Sequence, residues 1–317
     1  MLPAIQRSGA EPTVSVVVCS YALERWDDLV AAVRSVREQT LAPLELIVSV
    51  DHNDGMLARA QAAFPDAVAI ANGEARGLSG ARNSGLRVAR GDVIAFLDDD
   101  AQAAPDWIER LIEPYSDPNV LGVGGAIDPS WTAGRPAGFP EEFGWVVGCS
   151  YAGLPAEATP VRNLIGANMS IRRSVFDAVG GFTSGIGRVG TRPVGCEETE
   201  LCIRARQRIP GGEFVFEPRA RVRHAVPADR ATWAYFRSRC FAEGVSKAQV
   251  AAAAGARDGL STERTYVVRT PPAGVLRGVR DALRGDASGL VRAAGIVSGL
   301  VLTAAGYLAG AVRMERA

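Results

Sequence analysis

The sequence predicts an α/β fold in which a mostly parallel central sheet is flanked by helices and followed by a helical C-terminal extension. Apolar runs of strand length alternate with helix-periodic segments up to about residue 130, which is typical of a parallel sheet with helices on both faces. Acidic residues directly follow two of the apolar runs, at the sheet edge where such folds bind ligands. With 317 residues, 47% hydrophobic and 22% charged, the chain can bury this core.

The first half of the chain supplies most of the predicted sheet. Continuous apolar runs predict buried strands at Val14–Cys19, Leu44–Val50, Ala67–Ala71, Val93–Leu97 and Val120–Ala126. Apolar residues at helical spacing predict helices at Asp27–Val36, at Gly80–Ala89 and after Pro105. Residues 128–165 show no clear period, so no element is predicted there.

The second half carries fewer strands and more helix. Asn168–Gly181 predicts a strand end that leads into a helix closed by two glycines. A Gly-rich loop over residues 183–196 precedes a helix from Glu197 to about Arg208. Two short strands follow at Phe214–Glu217 and Ala220–His224, and residues 229–255 are predicted to be helical.

Composition excludes several classes of protein. The net charge is zero, so nothing global indicates nucleic-acid binding. Lys247 is the only lysine among 35 basic residues, a bias that we attribute to a GC-rich genome. The five cysteines are odd in number and lack CxxC spacing. A disulfide framework or zinc site is therefore not expected, and a reducing compartment fits best.

Three consecutive carboxylates, Asp98–Asp100, end the apolar run Val93–Leu97. Like charges at the end of a buried strand repel one another, and a divalent cation would remove that conflict. Hard oxygen ligands suit Mg²⁺ or Mn²⁺. A solvated acidic turn is the alternative.

Four segments in this order resemble the family 2 glycosyltransferases, which have the GT-A fold. They are VSVVVCSY (14–21), LIVSVDHND (46–54), GLSGARNSG (77–85) followed by LDDD, and GANMSIRRSVFDAVGGF (166–182) followed by GCEETELCIRA (195–205). The resemblance covers roughly residues 12–245. It departs from the family at Val50, which replaces the first acid of a pair, and at the Glu197–Glu198 pair, where the family more often has Asp.

The resemblance implies roles for ten residues. Donor-nucleotide contacts are implied for Ser20, Tyr21, Asp51, Arg82, Asp98 and Asp99. Mn²⁺ or Mg²⁺ ligands are implied for Asp98, Asp100 and His224. Glu198 is implied as the general base, with Glu197 as the other member of the acidic pair.

Several of these residues also have a plainer interpretation. Asp51 would cap the following helix, Arg82 would lie on a helix surface, and His224 would be structural. The glutamates at the start of the helix from Glu197 are favoured there by the helix dipole alone.

The implied reaction is an inverting, metal-dependent transfer of a hexosyl or glycuronosyl group from a nucleoside diphosphate sugar, with UDP-sugars expected first. The acceptor hydroxyl would belong to a lipid-linked saccharide or a polysaccharide of the cell envelope.

A nucleotidyltransferase is one alternative, but its Gly-rich phosphate loop would follow the first strand, whereas Gly187–Arg192 lies far along the chain. That segment is predicted to be a mobile acceptor-side loop with Arg188 or Arg192 over the diphosphate. A non-catalytic membrane scaffold is the other alternative.

The C-terminal residues predict membrane association. Residues 293–312 carry no charge and are about long enough to span a bilayer, and Gly295/Gly299 and Gly306/Gly310 would let a neighbouring helix approach closely. Leu276, Val279 and Leu283 share one helical face beside arginines, a pattern of interfacial helices. A helix packed on the protein's own core or on a twin subunit is the alternative.

Residues Tyr235–Ala248 resemble the subset of the family that acts on dolichyl- or polyprenyl-phosphate-linked acceptors. We therefore expect the protein at the cytoplasmic face of the cell membrane, bound peripherally or by a single C-terminal span, with a homodimer through the last helix as a further expectation. The expected organisation is an N-terminal tail without a signal peptide (1–13), a nucleotide-sugar half (14–127), an acceptor and catalytic half (128–256) and the extension (257–317).

Overall fold

The structure is a computed structural model, and it describes residues 11–188, 195–255 and 261–314. Most of the predicted tail over residues 1–13, and most of the predicted loop Gly187–Arg192 including Arg192, lie outside the described residues. Within these ranges one sheet has nine strands, in the order β3-β2-β1-β4-β8-β6-β9-β5, with β7 also paired to β9. The strands are β1 Val14–Ser20, β2 Glu45–Val50, β3 Val68–Ala71, β4 Val93–Asp98, β5 Ala101–Ala103, β6 Val120–Trp131, β7 Thr159–Val161, β8 Asn168–Arg172 and β9 Glu213–Val226.

The sheet is parallel in its first half and mixed in its second. Strands β3, β2, β1 and β4 are mutually parallel, as predicted. Strand β8 then runs antiparallel to both β4 and β6, and β9 is parallel to β6 but antiparallel to β5 and β7. The C-terminal ends of β1, β2 and β4 therefore meet at one edge.

Helices cover both faces of the sheet. Alternate residues of β1 enter two separate cores, with Val16 and Val18 on one face and Val17 on the other, as the two-residue period of a strand requires. The helices described are α1 Trp26–Arg37, α2 Asp54–Ala63, α3 Leu78–Val88, α4 Trp107–Ile112, α5 Arg173–Val179, α6 Glu197–Arg208, α7 Trp233–Ala254, α8 Ser261–Leu283 and α9 Ser288–Met314.

Most predicted elements are confirmed within a few residues, and the differences have physical reasons. Helix α2 was not predicted because its Ala-rich sequence shows little apolar periodicity; only Met56 and Ala60 are buried on it. The two short strands predicted on either side of Pro218 form one strand, β9. Its pairing with β6 continues across an irregularity, since Gly125 pairs with Glu217 and the next pair is Ala126 with Arg221.

Helix α9 packs lengthwise on α7 through its glycines. A side chain at Gly306 would meet the backbone of Phe241, and one at Gly310 would meet Val245 and Ala248. The close approach expected of these glycines is thus confirmed, and the neighbouring helix belongs to the same chain. The predicted homodimer stays a prediction.

Candidate active site

One cavity of about 710 Å³ lies at the C-terminal edge of the parallel strands and contacts all ten residues that the sequence singled out. Ser20 ends β1 and Tyr21 follows it, Asp51 follows β2, and Asp98 ends β4. The remaining residues reach it from α3, from the β4–β5 turn, from the first turn of α6 and from β9. They are Arg82, Asp99, Asp100, Glu197, Glu198 and His224.

The register of β5 and β9 brings His224 to the acidic turn. Ala101, immediately after Asp100, pairs with His224, and the backbone N–H of Ala225 donates to the Asp100 carbonyl at 2.8 Å. His224 Nε2 consequently lies 3.1 Å from Asp100 Oδ1, and both side chains are buried. Ligand atoms of Asp98, Asp100 and His224 all lie within 4.8 Å of one another.

The chemistry of this Asp-Asp-His group fits a divalent cation. Asp100 Oδ1 is buried and, apart from the contact of 3.1 Å with His224 Nε2, has no hydrogen-bond partner among the described residues. A buried carboxylate oxygen without a donor is costly unless a cation compensates it. Two carboxylates and one imidazole form a donor set that Mn²⁺ accepts.

Asp99 is not part of this group. Its Oδ1 lies 2.9 Å from Arg25 Nη2, and the same guanidinium also contacts Asp100. Burial raises the pKa of Asp99 to about 7. Burial would also raise the pKa of Asp100, but the positive charges of His224, Arg25 and Arg230 outweigh it and hold that pKa well below its usual value.

Asp51 does not cap the following helix, so that alternative is wrong. The cap of α2 is Asn53, whose side chain accepts from the Met56 N–H at 3.0 Å. Asp51 instead accepts from Asn72 Nδ2 at 2.7 Å and from the Gly77 N–H at 3.0 Å. These bonds hold its carboxylate at the mouth of the cavity.

Arg82 links the acidic turn to the acidic pair of α6, and the surface-helix alternative is wrong because this side chain is 2% exposed. Its Nη1 donates to Glu197 Oε1 at 2.7 Å, and its Nη2 lies 3.5 Å from Asp98 Oδ1. Burial lowers the pKa of Arg82, but Glu197 and Asp98 outweigh it and raise that pKa. The guanidinium therefore stays charged between the two acidic groups.

The two members of the acidic pair differ in their surroundings. Glu197 is compensated by Arg82, whereas the half-buried Glu198 forms no ion pair with any of the described residues. Poor solvation in the cavity and the negative charge of Glu197 raise the pKa of Glu198 to about 8. Glu198 thus has the proton affinity of a general base near neutral pH.

Several cavity residues escaped the sequence analysis. Arg25 and Arg230 contact Asp100 from a loop turn and from the segment after β9, where no motif marks them. Arg239, Glu243 and Lys247 on α7 do carry a signal, because a spacing of four residues places them on one helix face.

A mixed α/β sheet with a cation-ligand group and an acidic pair facing one cavity at its strand edge defines a GT-A-type glycosyltransferase. The model of the family described as glycosyl transferase family 2 matches residues 15–180. The glucosyl-dolichyl phosphate glucuronosyltransferase of Haloferax volcanii is 41% identical over 238 residues, which are 74% of this chain and 76% of the relative. The chain belongs to glycosyl transferase family 2.

Other proteins resemble this chain over most of its length or in their fold. The succinoglycan biosynthesis protein ExoM of Rhizobium meliloti is 27% identical over 91% of this chain and 93% of its own. The Pyrobaculum calidifontis mannosyltransferase PcManGT, solved with GDP-Man and Mn²⁺, has a TM-score of 0.60 at 18% identity and covers 95% of this chain and 88% of its own. The structure of GalNAc-T7, solved with UDP, GalNAc and Mn²⁺, has a TM-score of 0.53 at 23% identity. The match covers 68% of this chain and 43% of the GalNAc-T7 chain. Both likenesses establish the fold.

Proposed function

We propose that this enzyme transfers a sugar from a UDP-sugar to a hydroxyl of a lipid-linked saccharide, with inversion and with Mn²⁺ as cofactor. One observation carries the proposal: the Asp98–Asp100–His224 group and the Glu197–Glu198 pair face the same cavity and are joined by Arg82. The name of the 41% identical relative supports glucuronic acid as the transferred sugar and a dolichyl-phosphate-linked glucose as the acceptor.

In this proposal the donor lies along the C-terminal strand edge. Asp51 accepts a hydrogen bond from the base, and Ser20 and Tyr21 lie against the nucleoside. Asp98, Asp100 and His224 would hold the cation, which would supply positive charge opposite the diphosphate when bound. Mn²⁺ suits the histidine nitrogen better than Mg²⁺, which prefers oxygen ligands.

Glu198 removes the acceptor's proton as the hydroxyl attacks the anomeric carbon. The new C–O bond forms on the face opposite the diphosphate, whose bond to the sugar breaks, so that one displacement inverts the anomeric centre. Arg82 holds the Glu197 carboxylate in place beside the base through the 2.7 Å bond from its Nη1. Glu197 thereby maintains the raised pKa of Glu198.

The donor site is tested by thermal unfolding with Mn²⁺ and a panel of nucleotide sugars that includes UDP- and GDP-linked ones. We expect the midpoint to rise only when Mn²⁺ and a UDP-sugar are both present. Binding to the folded state alone adds about 2.7 kcal/mol to the free energy of unfolding at a hundredfold excess over Kd. No shift with any nucleotide, with or without metal, would contradict the proposal.

The outer face of α8 and α9 supports membrane association. Within the described residues, eleven of the seventeen exposed large hydrophobic side chains lie on these two helices, including Leu276, Val279 and Leu283 as predicted. Helix α9 is the one described helix long and apolar enough to cross a membrane. Because its glycine face lies along α7, which carries charged residues, we propose peripheral binding through the exposed apolar face rather than a span.

We expect the purified protein to float with anionic lipid vesicles and to be released from membranes by alkaline carbonate. The double variant Leu276→Ser/Leu283→Ser should lose most of this binding, because both side chains are more than 70% exposed on the proposed contact face. Val68→Ser, at an exposed valine on β3, is the matched control and should bind as wild type does. Resistance to carbonate would indicate a span instead.

A further inference from the structure

The ring of His224 has two nitrogens, and one of them faces the Asp-Asp-His group. Its Nε2 lies 3.1 Å from Asp100 Oδ1. On the other side of the ring, Nδ1 lies 3.9 Å from the Sγ of Cys149, which is its one hydrogen-bond partner among the described residues. Both side chains are buried, with 3% of His224 and none of Cys149 exposed. A histidine that binds a cation through one nitrogen donates the N–H of the other to a nearby acceptor. Here that acceptor is a thiol.

The hydrogen bonds of the thiol set the direction of this contact. Cys149 Sγ also lies 3.7 Å from the carbonyl oxygen of Val147, which can only accept, so the S–H donates there. The sulfur lone pairs are then left to accept the Nδ1–H of His224. The opposite direction would place the proton of a neutral ring on Nε2, where it would exclude a cation. The thiol therefore favours the ring form in which Nε2 can bind a cation.

The position of the sulfur is fixed by backbone contacts that do not involve His224. The N–H of Cys149 donates at 3.1 Å to the carbonyl of Gly144, in the 3₁₀ helix that follows β6. The next residue, Ser150, donates its N–H to the carbonyl of Ile127 on β6 at 3.0 Å, and its hydroxyl accepts the Ile127 N–H at 2.9 Å. A side chain at Gly144 would lie 2.1 Å from the Ser150 carbonyl oxygen, so these two backbones are in direct contact. The thiol is thus a fixed point against which the ring is oriented.

Gly148 limits the ring from another side. It has a φ of +80°, and a side chain placed there would lie 3.3 Å from His224 Cε1 and 3.5 Å from Nε2. A glycine at this left-handed position lets the backbone approach the edge of the ring. A rotation of the ring by half a turn would exchange Nδ1 with Cδ2, so that a carbon would face the sulfur and the Nδ1–H would lose its partner. The contact with Cys149 thus favours one of the two ring orientations.

We propose that Cys149 is a positioning residue of the cation site: its sulfur accepts the Nδ1–H of His224 and holds Nε2 toward Asp98 and Asp100. The proposal rests on the cation role proposed above, since it concerns the orientation of one of the three ligands. Cys149 itself does not line the cavity, so it acts on the site through His224. A thiol is a weak acceptor, and the effect is therefore expected near the lower end of the range for partners of metal-binding histidines.

The first test follows the Nδ1–H proton without any cation. The chain has two histidines, His52 and His224, so NMR with ¹⁵N-labelled histidine gives the ring signals of two residues, and His52→Gln assigns them. Burial lowers the pKa of His224, but the charge of Asp100 outweighs it and raises that pKa to about 10. Both ring nitrogens therefore carry a proton near neutral pH. We expect the Nδ1–H to exchange with water about tenfold faster in Cys149→Ala than in the wild type, because one hydrogen bond is lost.

The second test measures the cation. Pulsed electron paramagnetic resonance detects a nitrogen bound to Mn²⁺, and we expect a coupling from His224 in the wild-type complex with Mn²⁺ and UDP and none in His224→Gln. In Cys149→Ala the coupling should weaken and the Kd of Mn²⁺ should rise about tenfold, while kcat at saturating Mn²⁺ stays close to that of the wild type. Cys149→Ser should lie between the two, because a hydroxyl accepts the Nδ1–H but its shorter C–O bond leaves it farther from the ring.

The matched control is Cys240→Ala. Cys240 is also fully buried, lies on α7 and does not line the cavity. The substitution removes the same sulfur atom from a core position, so the proton exchange of His224, the nitrogen coupling and the Kd of Mn²⁺ should match the wild type. The unfolding midpoints of both alanine variants are compared to separate the loss of packing from the loss of the hydrogen bond.

Three outcomes would overturn the proposal. Unchanged Nδ1–H exchange in Cys149→Ala would show that the sulfur does not accept this proton. Faster exchange with an unchanged Mn²⁺ Kd and coupling would show that the bond does not position the ligand. Equal changes in Cys240→Ala would assign them to a general loosening of the core. If the wild type itself shows no nitrogen coupling to Mn²⁺, the proposed cation site is wrong, and the exchange measurement distinguishes this result from a missing contact between Cys149 and His224.

Discussion

Glu198→Gln lowers kcat by about 10²- to 10⁴-fold, the usual contribution of a general base, while the KM for the donor changes little. Glutamine keeps the shape of the side chain and loses only the ability to take a proton. Since Glu198 does not belong to the Asp-Asp-His group, cation and donor binding should persist. The measurement is steady-state turnover together with the Mn²⁺-dependent thermal shift.

The pH profile gives the same experiment a second readout. With its pKa raised to about 8, Glu198 must lose a proton before it can act. We expect kcat/KM to rise about tenfold per pH unit up to about pH 8 and then to level off. Glu197→Gln removes the neighbouring negative charge and should move the midpoint to lower pH, because Arg82 and Lys247 then act on Glu198 without that opposition. The residual activity of Glu198→Gln should lack this rise.

Glu200→Gln is the matched control. Glu200 lies in the same first turn of α6 and is buried, but it pairs with Arg204 and does not line the cavity. It should retain most of the wild-type activity and the same pH midpoint. Near-normal turnover in Glu198→Gln with the true acceptor would show that this carboxylate is not the base.

Asp100→Asn abolishes the Mn²⁺-dependent part of donor binding and lowers turnover by about 10³-fold or more. A bound cation contributes several kcal/mol to stabilising the departing charge, and each 1.36 kcal/mol is tenfold in rate. The variant removes the charged ligand that His224, Arg25 and Arg230 all contact. Activity is measured against Mn²⁺ concentration, and the thermal shift with UDP is measured in parallel.

The same substitution leaves buried cations with less compensation, so folding is checked separately. Far-UV circular dichroism and the unfolding midpoint without ligand report on the fold alone. Asp106→Asn, at an exposed carboxylate paired with Arg110, is the control and should leave both activity and metal response unchanged. His224→Gln should weaken Mn²⁺ binding less than Asp100→Asn does, because a histidine that binds a cation is a neutral ligand whereas the aspartate is a charged one. An unchanged Mn²⁺ response in Asp100→Asn would show that the cation lies elsewhere.

Much of the site was predictable because it depends on short stretches of chain. The aspartates follow β4 directly, so a continuous apolar run with three acids after it marks the strand edge by itself. The two glutamates open α6, as their position after a Gly-rich loop indicates. By contrast, α2 was missed because an Ala-rich helix buries little apolar surface.

Other site residues could be assigned only as alternatives from their local sequence. Asp51 had two interpretations until Asn53 was seen to cap α2. Arg82 also had two interpretations, a surface position on its helix or a place in the site, until its contacts with Asp98 and Glu197 were seen. The contacts that place Asp51 and Arg82 in the site join segments far apart in the chain: Asp51 accepts from Asn72 and Gly77, and Arg82 donates to Glu197. The local sequence contains no signal for such contacts.

The sequence by itself determined the alternation of strands and helices, the edge of the sheet at which the site lies and the family to which the chain belongs, because each of these follows from local pattern. Only the tertiary structure decided which residues meet. The pairing register of β5 and β9 places His224 beside Asp100. Arg82 compensates the charge of Glu197, whereas Glu198 has a raised pKa. The glycine face of α9 packs against α7. Long-range pairing depends on burial and charge compensation across the whole fold, and these energies are set by neighbours in space rather than along the chain.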